Sequence, residues 1–158
     1  MRKNLIRGLG ISAVIIALDQ VSKWWVTDVV MQPPHNIEVL AFFNIVLAYN
    51  RGVSFGMFAA GSDAGKWMLV GVAGVITVFL LHWLTKATNR LSVWALGLII
   101  GGAIGNVIDR IVTGAVVDFL DFHAYGYHWP AFNVADISIF IGAALLIAES
   151  LFIRDDSA

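Results

Sequence analysis

Four stretches of the chain are apolar over the roughly 20 residues that a helix needs to cross a bilayer. Most polar and charged residues lie toward the ends of these stretches or between them. Because a helix satisfies its own backbone hydrogen bonds inside a membrane, the pattern predicts four transmembrane helices. The first apolar run is long and no A-x-A-like site follows it, so we expect no cleaved signal peptide. The predicted spans are Leu5–Val26, Trp67–Leu84, Leu91–Ile108 and Val134–Ile153.

The segments between the spans differ in length and in charge. Thr85–Arg90 has six residues, whereas Thr27–Lys66 has 40 and Asp109–Asn133 has 25. If four helices alternate in direction, both long segments lie on one side, and the positive-inside rule makes the other side cytoplasmic. We therefore expect cytoplasmic termini and two outer loops. The basic residues on the predicted inner side are Arg2, Lys3, Arg7, Lys86, Arg90 and Arg154.

The first outer loop is not a plain linker. Three of its runs are rich in β-branched and aromatic residues, a composition typical of strands. They predict a small antiparallel sheet at the outer membrane surface. The second outer loop is expected to remain a loop and to cover the same outer face. The predicted strands are Ile37–Leu40, Phe42–Tyr49 and Val53–Phe58.

Composition agrees with a membrane protein. Of the 158 residues, 59% are hydrophobic and 13% are charged, and the mean hydropathy is +0.81. Soluble domains are about 45–50% apolar and about 25% charged, so a soluble enzyme and a disordered chain are excluded. One domain over residues 1–158 is expected. The net charge of −1 offers no basic surplus for nucleic acid, and the absence of cysteine excludes disulfides and thiolate metal sites.

Placing an ionisable side chain inside a membrane span costs free energy, so such residues are candidates for function. Asp19 and Lys23 are four apart and share a helix face, where they form either a structural ion pair or part of a site. Asn106, Asp109 and Arg110 lie on one side of the third span's outer end. Arg110 either pairs with Asp109 as a helix-end cation or offers its guanidinium to substrate oxygens. Charge alone leaves both alternatives open.

Two acids lie at the outer membrane boundary. Asp118 is flanked by apolar residues in the second outer loop, which favours a raised pKa. Asp136 is three residues after Asn133, so it has the position of an acid that caps the fourth helix. The loop between the two acids can bring them together. Two carboxyl groups that share one proton can activate water and polarise a carbonyl, which is aspartic-type peptide hydrolysis.

Other features fit simpler explanations. His123 and His128 lie near Asp121, but no H-E-x-x-H motif occurs, and interfacial polar residues explain them better than a metal site. No G-x-S-x-G motif occurs either. Three glycines spaced four apart on the third span allow close packing against a neighbouring helix. They are Gly97, Gly101 and Gly105.

Five sequence blocks, in order, resemble those of the lipoprotein signal peptidases, also called signal peptidase II. Each block alone is weak evidence for the family, but five blocks in order on a four-span chain of this length are a specific signature. Arg51 and Val53 depart from the family pattern at positions that are not catalytic. The blocks are Asp19–Lys23, Tyr49–Gly56, Gly105–Arg110, Val116–Phe119 and Phe132–Asp136.

The resemblance implies a membrane peptidase without a cofactor or metal that cuts the signal peptide from bacterial prolipoproteins, before a diacylglyceryl-modified cysteine. It implies an inner-membrane location with the active site at the outer face, contact with membrane lipids and inhibition by globomycin. We also expect a monomer. Asp118 and Asp136 match the catalytic dyad. Positions matching the substrate or inhibitor site are Asn50, Asn106, Arg110 and Asn133, and positions matching structural support are Asp19, Lys23 and Asp109.

A proton-coupled transporter or channel is the alternative function. It predicts acids near the bilayer midplane and a polar stripe along the spans. The span Trp67–Leu84 has almost no polar residues, and the acids cluster at one boundary. A scaffold subunit, by contrast, would tolerate asparagine at Asp118 and Asp136.

Overall fold

The structure, a computed structural model, describes residues 2–52 and 63–152. Its four long helices are α1 (Arg2–Trp24), α2 (Asp63–Lys86), α3 (Arg90–Val112) and α4 (Val134–Phe152). A π-helical turn, Trp25–Val30, extends α1. All four are long and apolar enough to cross a membrane, which confirms the predicted fold class. The end of the fourth predicted span, Ile153, lies outside the described residues.

The helix α3 is the centre of the bundle, because it packs against α1, α2 and α4. Its glycines allow the close approach that their spacing predicted. A Cβ atom at Gly97 would lie 2.9 Å from the carbonyl oxygen of Gly8 in α1. Ser12 of α1 donates a hydrogen bond of 2.9 Å to the carbonyl of Gly97 at the same crossing. The α1–α3 contact therefore depends on the absence of a side chain at Gly97.

Gly102 sets the contact between α3 and α4, and replacing it with valine is expected to destabilise the protein. A Cβ there would overlap the Ala135 carbonyl and the Ser138 hydroxyl, so the helices would have to separate. Overpacking of this kind costs about 1–3 kcal/mol. Thermal unfolding in detergent measures the effect. Gly71→Val is the control, because a Cβ at Gly71 meets nothing within 4 Å; equal midpoints for both variants would contradict this packing.

A four-stranded antiparallel sheet covers the end of the bundle where α3 ends and α4 begins. The strand order is β1 (Ile37–Leu40), β2 (Phe43–Asn50), β3 (Val116–Ala124) and β4 (Tyr127–His128). The first predicted strand is confirmed, and the second begins and ends one residue later than predicted. The predicted strand Val53–Phe58 lies outside the described residues.

The prediction that the second outer loop has no strands is wrong, because this segment contains β3 and β4. Val116, Val117 and Phe119 are all buried, so both faces of β3 are covered at this end. A strand buried on both faces lacks the alternation that marks a half-exposed one, which is why the pattern missed it. The register places Ala48 opposite Asp118. A candidate catalytic acid thus lies on an interior strand of the sheet.

Candidate active site

Backbone pairing brings the two candidate acids to one place. The segment before α4 forms an isolated bridge with β3, in which Leu120 and Phe132 exchange hydrogen bonds of 2.9 and 3.1 Å. Asp118 lies two residues before Leu120, and Asp136 lies in the first turn of α4. The bridge therefore holds the start of α4 against the strand that carries Asp118.

Asn133 joins the two acids directly. Its Nδ2 donates to Oδ1 of Asp118 at 2.6 Å. Its backbone N–H donates to Oδ2 of Asp136 at 3.3 Å, and its Oδ1 accepts from the backbone N–H of Asp136 at 2.9 Å. The last two bonds form the reciprocal cap that the spacing predicted. Asp136 therefore caps α4 and also lies beside Asp118. A capping role and a role in an acid pair are thus compatible for this residue.

Two further amides hold the remaining carboxylate oxygens. Asn50, at the end of β2, donates to Oδ2 of Asp118 at 3.2 Å. Asn106, near the end of α3, donates to Oδ1 of Asp136 at 2.8 Å. Asp118 is only 3% exposed, whereas Asp136 is partly exposed. Asp136 is therefore the acid that water reaches more easily.

The environment of Asp118 favours its protonated form. Burial is the main cause that raises its pKa to about 6, and the nearby charge of Asp136 acts in the same direction. Hydrogen bonds from Asn50 and Asn133, and the charge of Lys23, oppose the increase in pKa. The raised pKa keeps Asp118 protonated up to about pH 6, and an acid that polarises a carbonyl needs that proton.

A buried ion cluster lies beneath the dyad. The Nζ of Lys23 is 2.8 Å from Oδ2 of Asp19 and 2.7 Å from Oδ2 of Asp109. The predicted Asp19–Lys23 pair is therefore confirmed and gains a second acid from α3. Oδ1 of Asp19 also accepts the backbone N–H of Ala135 at 2.9 Å. The cluster ties α1 and α3 to the first turn of α4.

Lys23 also orients the amide of Asn106. Its Nζ donates to Oδ1 of Asn106 at 3.2 Å, while Nδ2 of the same amide donates to Asp136. An ammonium group can only donate, so it selects the amide orientation in which Nδ2 faces the acid. The ion cluster thus supports the geometry of the dyad through one side chain.

Arg110 does not pair with Asp109, which corrects one of the two alternatives for this residue. Asp109 instead accepts from Gln20 at 2.8 Å and from the backbone N–H of Val117 at 3.1 Å, besides contacting Lys23. Within the described part of the chain, Arg110 makes no ion pair, and its buried Nε has no hydrogen-bond partner. Among the described residues, its guanidinium donates only to the Asn106 carbonyl, at 3.3 Å. It therefore has donors left for another ligand.

The comparisons with known proteins identify the family. A model of signal peptidase II matches residues 11–152. The chain belongs to the signal peptidase II family. The lipoprotein signal peptidase of Ralstonia nicotianae is 48% identical over 90% of this chain and 83% of its own length. That of a Janthinobacterium species is 44% identical over 94% and 90% of the two chains.

Solved structures of bacterial membrane enzymes share the fold of this chain. A bacterial membrane enzyme solved by the in meso method at 2.3 Å has a TM-score of 0.81 and 30% identity, over 96% of this chain and 91% of that one. A second, solved at 1.9 Å, has a TM-score of 0.79 and 32% identity, over 94% and 93%. The chain is thus a multi-pass membrane peptidase, and the transporter alternative is not favoured.

In this signal peptidase II chain, Gln20 is a member of the buried ion cluster that the sequence interpretation missed. Its Nε2 donates to Asp109 at 2.8 Å, to the Gly105 carbonyl at 3.3 Å and to Asp19 at 3.2 Å. The sequence did contain a signal for Gln20, because its polar amide follows Asp19 inside an apolar span. Gln20 completes the buried cluster by binding both of its acids.

The histidines of the outer sheet belong to a separate cluster. His128 is 2.9 Å from both carboxylate oxygens of Asp121, and Asn44 donates to Asp121 at 3.1 Å. Burial favours neutral Asp121, but these bonds outweigh it and hold the pKa of Asp121 below its ordinary value. Across residues 2–52 and 63–152, no group of three potential metal ligands comes together.

Proposed function

We propose that this signal peptidase II chain is an aspartic-type endopeptidase that removes the signal peptide from diacylglyceryl-modified prolipoproteins, cleaving before the modified cysteine. The observation that carries the proposal is the position of Asn133, which bonds to both Asp118 and Asp136. One residue that holds two carboxyl groups gives the shared site that peptide hydrolysis by an acid pair requires.

The two acids take complementary roles in this proposal. Asp136 is the acid that water reaches more easily, and in this proposal it removes a proton from water. The water oxygen attacks the scissile carbonyl carbon while protonated Asp118 donates its proton to the carbonyl oxygen. The tetrahedral intermediate then collapses, and the proton held by Asp136 passes to the leaving amine. Asp118 recovers its proton as the carbonyl re-forms.

The amides and Arg110 position the acids and the substrate. Asn50, Asn106 and Asn133 each donate to a dyad carboxyl group, which limits rotation of both. Arg110 has unused donors, and we assign them to carbonyl oxygens of the substrate or of a globomycin-like inhibitor. The residues Asp19, Lys23 and Asp109 support this arrangement from below.

An apolar cavity beside Asp136 suits the lipid-modified substrate. Its volume is about 450 Å³, and aromatic and aliphatic side chains make up most of its wall. Acyl chains or apolar side chains next to the scissile bond would be removed from water there. The residues that line it are Trp129, Phe132, Asp136, Ile137 and Phe140.

The proposed location is the bacterial inner membrane, where the protein contacts membrane lipids. Residues 1–158 are proposed to form one domain that works as a monomer. The α1 and α3 helices begin at the end of the bundle that carries Arg7 and Arg90. The positive-inside rule assigns that end to the cytoplasm and the dyad to the outer face.

Cleavage by the purified protein in detergent tests this proposal. The substrate is a diacylglyceryl-modified prolipoprotein, the control is the same precursor without the lipid, and mass spectrometry identifies the product. We expect cleavage before the modified cysteine, inhibition by globomycin and no loss with a chelator. Loss of cleavage in chelator would contradict the aspartic mechanism, and equal cleavage of the unmodified precursor would contradict the lipid requirement.

The rate is expected to fall as the pH rises through the pKa of Asp118, about 6. Above that value Asp118 loses its proton, so kcat/KM falls about tenfold per pH unit. Asn50→Ala should move this alkaline limb to higher pH, because the lost hydrogen bond was lowering the pKa of Asp118. The measurement is the pH profile of kcat/KM for both proteins. A profile that stays flat through this range, or a shift to lower pH in the variant, would contradict the assigned role.

A further inference from the structure

A second cavity lies at the end of the bundle opposite the dyad. It is a groove of about 670 Å³ between α1 and α3, and apolar side chains such as Ile11, Val14 and Trp94 form its walls. Arg7 and Arg90 also line it, close to where α1 and α3 begin. An apolar groove with two cations at one end has the pattern of a lipid site between membrane helices.

The two arginines are available to a ligand. Neither forms an ion pair with a carboxylate among residues 2–52 and 63–152. The nearby acid Glu149 is instead held by the Ser92 hydroxyl at 2.6 Å and by the Asn89 amide at 2.9 Å. Two exposed guanidinium groups at one groove therefore carry positive charge that these contacts do not neutralise.

Hydrogen bonds hold the end of the groove that carries the two arginines. Asn4, which also lines it, donates to the Ala87 and Thr88 carbonyls at 3.2 Å each. These bonds tie the first turn of α1 to the short connection before α3, so they hold the segments that carry Arg7 and Arg90 together. A site with a fixed spacing of cations can prefer one head group over another.

We propose that this groove binds an anionic phospholipid, with its phosphate between Arg7 and Arg90 and one acyl chain along Ile11, Val14 and Trp94. Guanidinium groups donate paired hydrogen bonds to phosphate oxygens, and a net negative head group balances the local charge. A zwitterionic head group would bring a cation toward the same arginines. A signal peptide is disfavoured for a similar reason, because its n-region is positively charged.

A second copy of the chain is also disfavoured as the occupant. Two copies that met through this groove with two-fold symmetry would face each other with the same patch. Four arginine side chains would then meet without an acid from the groove walls, since the described residues that line the groove include no Asp or Glu. Like charges that meet directly cost binding energy.

Native mass spectrometry of the full chain tests the lipid site. The protein is titrated with phosphatidylglycerol and with phosphatidylethanolamine of identical acyl chains. We expect about a tenfold preference for phosphatidylglycerol in the wild type and near parity in Arg7→Gln/Arg90→Gln. The charge-matched control, Lys3→Gln/Lys86→Gln, removes two cations that do not line the groove and is expected to keep the preference.

Filling the groove gives a second, independent test. A Cβ at Gly10 meets nothing within 4 Å and Gly10 lines the groove, so Gly10→Phe should block both lipids without disturbing α1. Gly71→Phe on α2 is its control, and equal thermal unfolding of both variants verifies their folding. The proposal is overturned if the wild type shows no lipid preference, if the lysine control loses it equally, or if Gly10→Phe retains lipid. It is also overturned if Gly10→Phe dissociates a dimer.

Discussion

Asp118→Asn and Asp136→Asn are each expected to lower kcat by about two to four orders of magnitude while leaving the protein folded. Asparagine keeps the shape of the side chain but can neither release nor accept the proton that hydrolysis moves. The measurement is single-turnover cleavage of the lipid-modified precursor. Asp121→Asn is the matched control, because Asp121 lies on the same strand, is also buried and bonds to His128 instead of to the dyad. Cleavage at the wild-type rate in both dyad variants would remove these acids from the mechanism.

Stability separates a catalytic role for Asp118 from a structural one. Folding raises its pKa from 3.8 to about 6, so the folded state holds this proton more tightly than the unfolded state. The contribution of Asp118 to stability is therefore complete below pH 3.8 and is lost as the pH rises through about 6. Above that pH, keeping the ionised group buried costs about 3 kcal/mol, at about 1.4 kcal/mol per pKa unit.

Asp118→Asn is consequently expected to unfold at a higher temperature than the wild type at about pH 8, where Asp118 is ionised. The variant loses one accepted hydrogen bond, worth about 1 kcal/mol, which is smaller than the cost of ionisation that it avoids. A midpoint several degrees below that of the wild type would instead identify Asp118 as a structural residue.

Lys23→Met is expected to cause the largest loss of stability, about 3–5 kcal/mol. Methionine fills a similar volume but leaves Asp19 and Asp109 as buried carboxylates without the cation that contacts both. The side chain of Lys23 is only 5% exposed, so water cannot replace it. Thermal unfolding in detergent at neutral pH measures the effect.

Lys66→Met is the matched control for this prediction. Lys66 pairs with Asp63 at 3.7 Å, and the Asp63 side chain is 94% exposed. Exposed pairs contribute about 0–1 kcal/mol, so this variant should unfold close to the wild type. The double variant Lys23→Met/Asp109→Asn should recover part of the loss, because it removes one of the two unpaired charges. Equal midpoints for Lys23→Met and Lys66→Met would contradict a central role for the cluster.

Local features of this protein could be predicted from its sequence. Each span is a continuous apolar run, and a helix satisfies its hydrogen bonds within that run, so no distant partner is needed to predict it. The Asp19–Lys23 pair and the Asn133–Asp136 cap have spacings of four and three residues, which place the partners together on any helix. The family resemblance implied roles for the same residues.

Contacts between distant segments were decided only by the tertiary structure. Lys23 reaches Asp109 because the glycine-lined face of α3 lets α1 approach closely, and this contact leaves Arg110 free of Asp109. Asn133 reaches Asp118 because the Leu120–Phe132 bridge holds α4 against a strand that the pattern did not predict. A one-residue change in strand register would turn Asp118 to the opposite face, and long-range pairing, not local sequence, sets that register.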